Sequence, residues 1–146
     1  MIEYLIVFLL GGFPILEVRG AVIYGLSVGL KPYLVLFLGI AGNILIIPVI
    51  FYLFKRSHFR SLAMRLFGEG MRDRIDRHKA RFEKWDELAL LSFTALPLPI
   101  TGGYTAAFLA ELLDLNRKRA FLVISVGVII AALIVFGGVN GLMYLL

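Results

Sequence analysis

The sequence predicts an all-α integral membrane protein: two broken helical hairpins, each followed by a transmembrane helix, arranged as an inverted repeat with amphipathic cytoplasmic helices between the halves. Three observations predict this. The 146 residues are 60% hydrophobic and only 17% charged, with a mean hydropathy of +0.92, whereas a soluble domain is roughly half apolar and a quarter charged. The apolar residues fall into blocks about as long as the ~20 residues a helix needs to cross a bilayer. The basic residues lie almost entirely between the blocks, where they report membrane orientation rather than nucleic-acid binding.

The first block, residues 1–30, is interrupted by Gly11, Gly12 and Pro14, with Glu17 and Arg19 directly after. It lacks the basic start and small-residue cleavage site of a signal peptide, so we expect it to stay in the mature chain. Tyr33 to Phe54 reads as a continuous span with Asn43 at its centre and Pro48 beyond. Residues 55–87 carry ten Lys and Arg side chains and are expected in the cytoplasm. Within them Phe59, Leu62, Ala63, Leu66 and Phe67, then Met71, Ile75, His78, Phe82 and Trp85, recur at helical spacing. Such helices suit the headgroup region of an anionic leaflet.

The 88–113 block is broken by Pro97, Pro99, Gly102 and Gly103, and a basic turn, Asn116 to Arg119, leads into a last span from Ala120 to Leu146. With 55–87 and 117–119 both cytoplasmic, the 88–113 block must enter the membrane and return, as a re-entrant hairpin or as two short helices. Aligning Pro14 with Pro97 aligns Gly20 with Gly103, and Gly39 and Gly127 fall at similar places in the following spans. The chain thus divides into a first repeat (1–54), a linker (55–87) and a second repeat of opposite orientation (88–146), all within one membrane domain (1–146). Inverted repeats broken at matching positions point to a transport site near the bilayer midplane.

The candidate chemistry sits at the breaks. Glu17 and Arg19 would each cost roughly 2.5–3.5 kcal/mol at the centre of an inserted helix on insertion scales. Either they snorkel to the interface, or the carboxylate exchanges a proton while the arginine engages an anion. Two apart on a helix they would not pair, whereas in an extended loop after Pro14 they would project to one side. Pro97, Pro99, Thr101, Gly102 and Gly103 forbid continuous helix and free backbone groups that cannot face lipid. A half-helix starting there offers N–H groups to an anion. Asn43 fits an interhelical hydrogen bond better than a substrate contact. Glu111 and Asp114 read as interfacial. Cysteine is absent. The two histidines have no paired ligand nearby, so no metal site and no cofactor are expected. Without a nucleophile–base pair or phosphate loop, an enzyme is not expected either.

These elements resemble a known family. Phe13-Pro14-Ile15-Leu16-Glu17-Val18-Arg19-Gly20-Ala21 resembles its P-x-x-E-x-R-G-A motif, Gly42-Asn43 followed by Pro48 its second, and Leu96 to Gly103 its third, P-L-P-x-T-G. The family is that of the small multidrug export proteins, similar in layout to the DedA/VTT superfamily. Where the family often has a proline shortly after R-G-A, this chain has Ile23 and Tyr24. The resemblance implies two facing re-entrant hairpins that move lipids, including polyprenyl phosphates. Carried over, Glu17 and Arg19 would be the functional pair of the first hairpin and Pro97 to Gly103 the second; Pro14 and Gly20 beside the pair are further candidate site residues.

The expected function is therefore a proton-linked transporter or flippase of an amphipathic, phosphate-bearing lipid. Expected partners are membrane lipids, the substrate, protons and a second copy of the chain in a homodimer, without nucleic acid. The expected location is the plasma membrane, with several passes. The alternatives are a proton-coupled exporter of cationic drugs and a non-transporting membrane scaffold.

Overall fold

A computed structural model of the chain describes residues 1–55, 87–96 and 102–145, and every regular element in them is helical. In chain order these are α1 (Ile2–Gly11), α2 (Glu17–Ser27), α3 (Pro32–Lys55), a helical run over 87–95 labelled α4, α5 (Gly103–Leu112) and α6 (Arg117–Leu145). The amphipathic helices expected within residues 56–86 lie outside the described residues, as do Pro97, Pro99 and Thr101.

Each boundary has a local cause. Helix α1 stops at the Gly11-Gly12 pair, and five residues including Pro14 separate it from α2. Gly29, at φ +74, ends the chain's course through α2 in a left-handed turn, which glycine enters without steric cost. Pro32 then opens α3, a position where its missing N–H is not needed. The expected span Tyr33–Phe54 is thus lengthened by one residue at each end. Pro48 lies inside this helix.

The basic segment 117–119 is corrected from a turn to the first turn of α6. Asn116 Oδ1 accepts from the Lys118 and Arg119 N–H groups, at 3.1 and 3.4 Å. This capping starts the helix three residues before the apolar run begins.

Helix α3 is the centre of the packing: α1, α2, α5 and α6 all lie against it, and α2 and α5 also touch α6. Small residues set the closest approach. Gly11 lies against the Gly39 backbone, and a Cβ on Gly42 would meet the Phe8 carbonyl oxygen. Helix α1 therefore crosses α3 with backbone nearly against backbone, the use of small residues typical of helices associating in lipid. Around this crossing Val7, Val18, Val22, Val35 and Ile47 are buried, joined by Ile124 and Val128 of α6. Phe54 and Phe108 meet edge to face, centroids 5.0 Å apart.

The apolar surface is larger than this core. Only 39% of the apolar window of α3 and 33% of that of α6 is buried inside the protein. Leu5, Leu9, Phe37, Leu45, Tyr52, Leu122 and Leu133 all point outward. A soluble core helix of such composition would be mostly buried. Two helices long and apolar enough to span, yet apolar on their outer faces, belong in lipid.

Candidate functional site at converging helix ends

Helices leave N–H groups unsatisfied at their starts and carbonyls at their ends. Four such ends meet here: those closing α1 and α4, and those opening α2 and α5. The polar residues read from the sequence fill the gaps between them.

Glu17 is the first residue of α2 and has φ +50. A non-glycine residue in this left-handed region costs on the order of 1–3 kcal/mol and persists where surrounding contacts fix it. The contact is to α5. Glu17 is 6% exposed, and its Oε1 accepts the Tyr104 N–H at 3.3 Å. The residue capping α5 is Gly102, which has no side chain to supply a cap. The Glu17 carboxylate fills that space so closely that a Cβ on Gly102 would overlap it. Glu17 is therefore an N-cap donated in trans, from 87 positions earlier in the chain. A carboxylate there also meets the positive end of the α5 dipole, worth about 0.3–1 kcal/mol, more when partly buried.

Arg19 reaches the opposite kind of end. Its Nη2 donates to the Leu96 carbonyl at 2.8 Å and to the Thr94 carbonyl at 3.4 Å. These oxygens lie at the end of α4's described run, and carbonyls in the last turn of a helix lack intrahelical partners. A guanidinium with its fork of donors suits two adjacent carbonyls and the negative end of a dipole. Glu17 and Arg19 thus grip the two lips of one break, the acid on the helix that starts and the base on the helix that ends. Of the two backbone alternatives read from the sequence, the helical one holds and the extended loop does not: both side chains leave the same helix, two positions apart, and diverge onto α5 and α4.

Asn43 completes the junction. It is 1% exposed, and its Nδ2 donates to the Gly11 carbonyl at the end of α1, at 3.0 Å. Its Oδ1 is buried, has no hydrogen-bond partner among the described residues, and faces α5, where a Cβ on Gly103 would run into it. The expected interhelical bond is present, and the residue also stands at the site.

Of the other candidates, Gly102 and Gly103 line the junction as described. Pro14 lies in the break between α1 and α2, whose Phe13 carbonyl receives the Glu17 N–H at 2.9 Å. Gly20 is inside α2 against the Leu16 side chain, away from the contacts of Glu17 and Arg19. Thr94 was not singled out from the sequence. It is fully buried, its Oγ1 donates to the Leu90 carbonyl at 2.7 Å, and its methyl-bearing side chain fills the space beside Gly127 of α6. The signal available was its place as a polar residue three before Pro97. Glu111, read as interfacial, forms a two-pronged pair with Arg117, at 2.5 and 2.9 Å.

Among the described residues no three His, Cys, Asp or Glu side chains gather as a metal would require. The junction offers one carboxylate, one guanidinium, one amide and the exposed poles of helices, which together can hold and exchange small charged groups inside an apolar surround.

Apolar outer faces, two spanning-length helices and a buried charged junction define a small helical membrane protein. More particularly, the chain belongs to the family described as "Putative small multi-drug export protein", whose model matches residues 17–134. That match begins on Glu17 and takes in Arg19, Asn43, Gly102 and Gly103. No curated protein and no solved structure matches the chain.

Proposed function

We propose that the protein is a proton-linked transporter that carries an amphipathic, phosphate-bearing lipid across the plasma membrane, where it passes several times. The observation that carries this reading is the pairing of Glu17 with the start of α5 and of Arg19 with the end of α4. A helix start is a seat for an anion, and here the protein's own carboxylate occupies it. A phosphate arriving between Arg19 and α5 competes with Glu17 for the same N–H groups. Protonation of Glu17 weakens its hold on the helix start and favours the phosphate. Return of the carboxylate expels the headgroup, so occupancy by proton and by substrate rise together.

Among the described residues two shorter helical runs followed by a long helix occur twice, as α1–α2–α3 and α4–α5–α6. This order supports the proposed inverted repeat with two facing re-entrant hairpins, the layout of the DedA/VTT superfamily. In that arrangement each hairpin carries half of the site, and a homodimer closes the path around it. No catalytic step and no cofactor is assigned.

The test is headgroup translocation in liposomes containing the purified protein. Arg19→Ala is expected to reduce translocation of a fluorescent phosphate-bearing lipid at least tenfold, and a wild-type rate would rule the mechanism out. A second reading, export of cationic drugs, is favoured by the family description and by Glu17, the one buried carboxylate among the described residues. There Glu17 draws the cation and Arg19 opposes it. Efflux of a cationic dye from cells separates the two: loss of efflux in Glu17→Gln with retained efflux in Arg19→Ala favours the drug exporter.

A further inference from the structure

We infer that the protein holds an anionic phospholipid in a second place, a groove between α3 and the start of α6 that is separate from the Glu17–Arg19 junction. The groove has a volume of about 430 Å³ and is lined by Pro48 and Phe51 of α3 and by Arg117, Lys118, Phe121 and Leu122 of α6. Its composition is graded along the helix. The cationic positions 117 and 118 stand at the mouth, and the wall below is made of proline, two phenylalanines and a leucine. Leu122 lies four positions along the helix from Lys118, a rise of about 6 Å, the scale on which a lipid passes from phosphate to acyl chain.

The charges at the mouth are not equivalent. Arg117 is held by Glu111 in its two-pronged pair, and Arg119 faces Glu87 at 3.5 Å. Lys118 is exposed, and among the described residues it has no carboxylate within ion-pair distance. The backbone start of α6 does not recruit the ligand, because Asn116 already accepts from the Lys118 and Arg119 N–H groups. Recognition therefore falls to the Lys118 ammonium over an apolar, aromatic wall. A compact, strongly hydrated cation at such a wall matches a lipid phosphate with its chain laid against the rings, and a basic pocket between spanning helices is the usual form of such a site. A soluble anion has nothing to place against Phe51 and Phe121, and a zwitterionic lipid brings its own cation to oppose Lys118.

Native mass spectrometry of the full chain in neutral detergent tests this, with phosphatidylglycerol or phosphatidylcholine added. The wild-type protein is expected to retain phosphatidylglycerol in preference to phosphatidylcholine. Lys118→Glu should cut that retention about tenfold, since it removes a cation the lipid phosphate meets and puts a repelling carboxylate in its place. Lys31→Glu makes the same change in net charge just before the other end of α3 and should leave retention unchanged. Equal retention in Lys118→Glu and wild type overturns the inference, and so does an equal loss in Lys31→Glu. Displacement of the lipid by millimolar inorganic phosphate also overturns it, because the apolar wall would then contribute nothing. Both lysines are exposed, so neither variant threatens the fold, and the readout is binding, independent of transport through the Glu17–Arg19 junction.

Discussion

The residue whose position carries most of the account is Glu17, because three unusual features coincide on it. It is ionisable, 6% exposed and in a left-handed backbone conformation, and its carboxyl group fills the place of a missing N-cap side chain. This predicts a specific non-additivity. Gly102 has φ 179, extended backbone that alanine adopts freely, so Gly102→Ala is harmful only through overlap with the carboxylate. It should destabilise the protein by about 1–3 kcal/mol, the range for overpacking. In the Glu17→Ala background the same change should cost much less, because the obstructing group is gone. Unfolding in mixed detergent, followed by helical circular dichroism, measures this cycle, and additive losses would refute the trans cap. Arg19→Ala removes the donor shared by two carbonyls, and should cost about 1–3 kcal/mol in the same assay. Arg19→Lys should recover part of that loss, since one ammonium still reaches one carbonyl.

At the scale of elements, the crossing of α1 over α3 makes two further predictions. A Cβ on Gly42 meets the Phe8 carbonyl oxygen, which is backbone and cannot rotate away. Gly42→Ala should therefore loosen α1 and lower stability by about 1–3 kcal/mol. Gly137→Ala is its control: nothing lies within contact there, and alanine in a helix interior should leave stability unchanged or raise it by up to about 1 kcal/mol. Asn43→Ala, which breaks the bond to the end of α1, should cost about 0.6–1.7 kcal/mol.

These elements also mark what the sequence could reveal. The span from Tyr33 to Phe54 and the breaks at Gly11–Pro14 were legible because hydropathy, glycine and proline act locally. The start of α6 was missed by three residues because Asn116 capping competes with a run of charge that reads as a loop. Glu17, Arg19 and Asn43 could be picked out, since polar groups in apolar segments are costly. Their partners could not. The Tyr104 N–H and the Leu96 carbonyl are backbone groups 87 and 77 positions away, and no side-chain pattern announces which helix end a charge will cap. Thr94 escaped for the same reason: its importance lies in the carbonyl it presents and the glycine it packs against.

For the whole molecule, the proposed topology places the end of α3 and the start of α6 on the cytoplasmic side. The groove shared by Pro48, Phe51, Arg117 and Lys118 shows that these two ends are neighbours. The chain has no cysteine, so single cysteines at Lys55, Lys118 and Lys31 report sidedness without background. In intact cells a membrane-impermeant maleimide should label position 31 and spare positions 55 and 118. Labelling of 55 and 118 on opposite sides would break the topology.

The central proposal is that a proton on Glu17 and a phosphate at Arg19 occupy one junction together, so that one is carried with the other. Its most direct measurement is translocation of a fluorescent phosphate-bearing lipid in proteoliposomes under an imposed pH gradient. In the wild-type protein, the account predicts a rate that follows the gradient. In Glu17→Gln it predicts a rate that no longer responds to the gradient, and in Arg19→Ala almost no translocation at either pH. Gradient-dependent translocation that persists unchanged in both variants would contradict it.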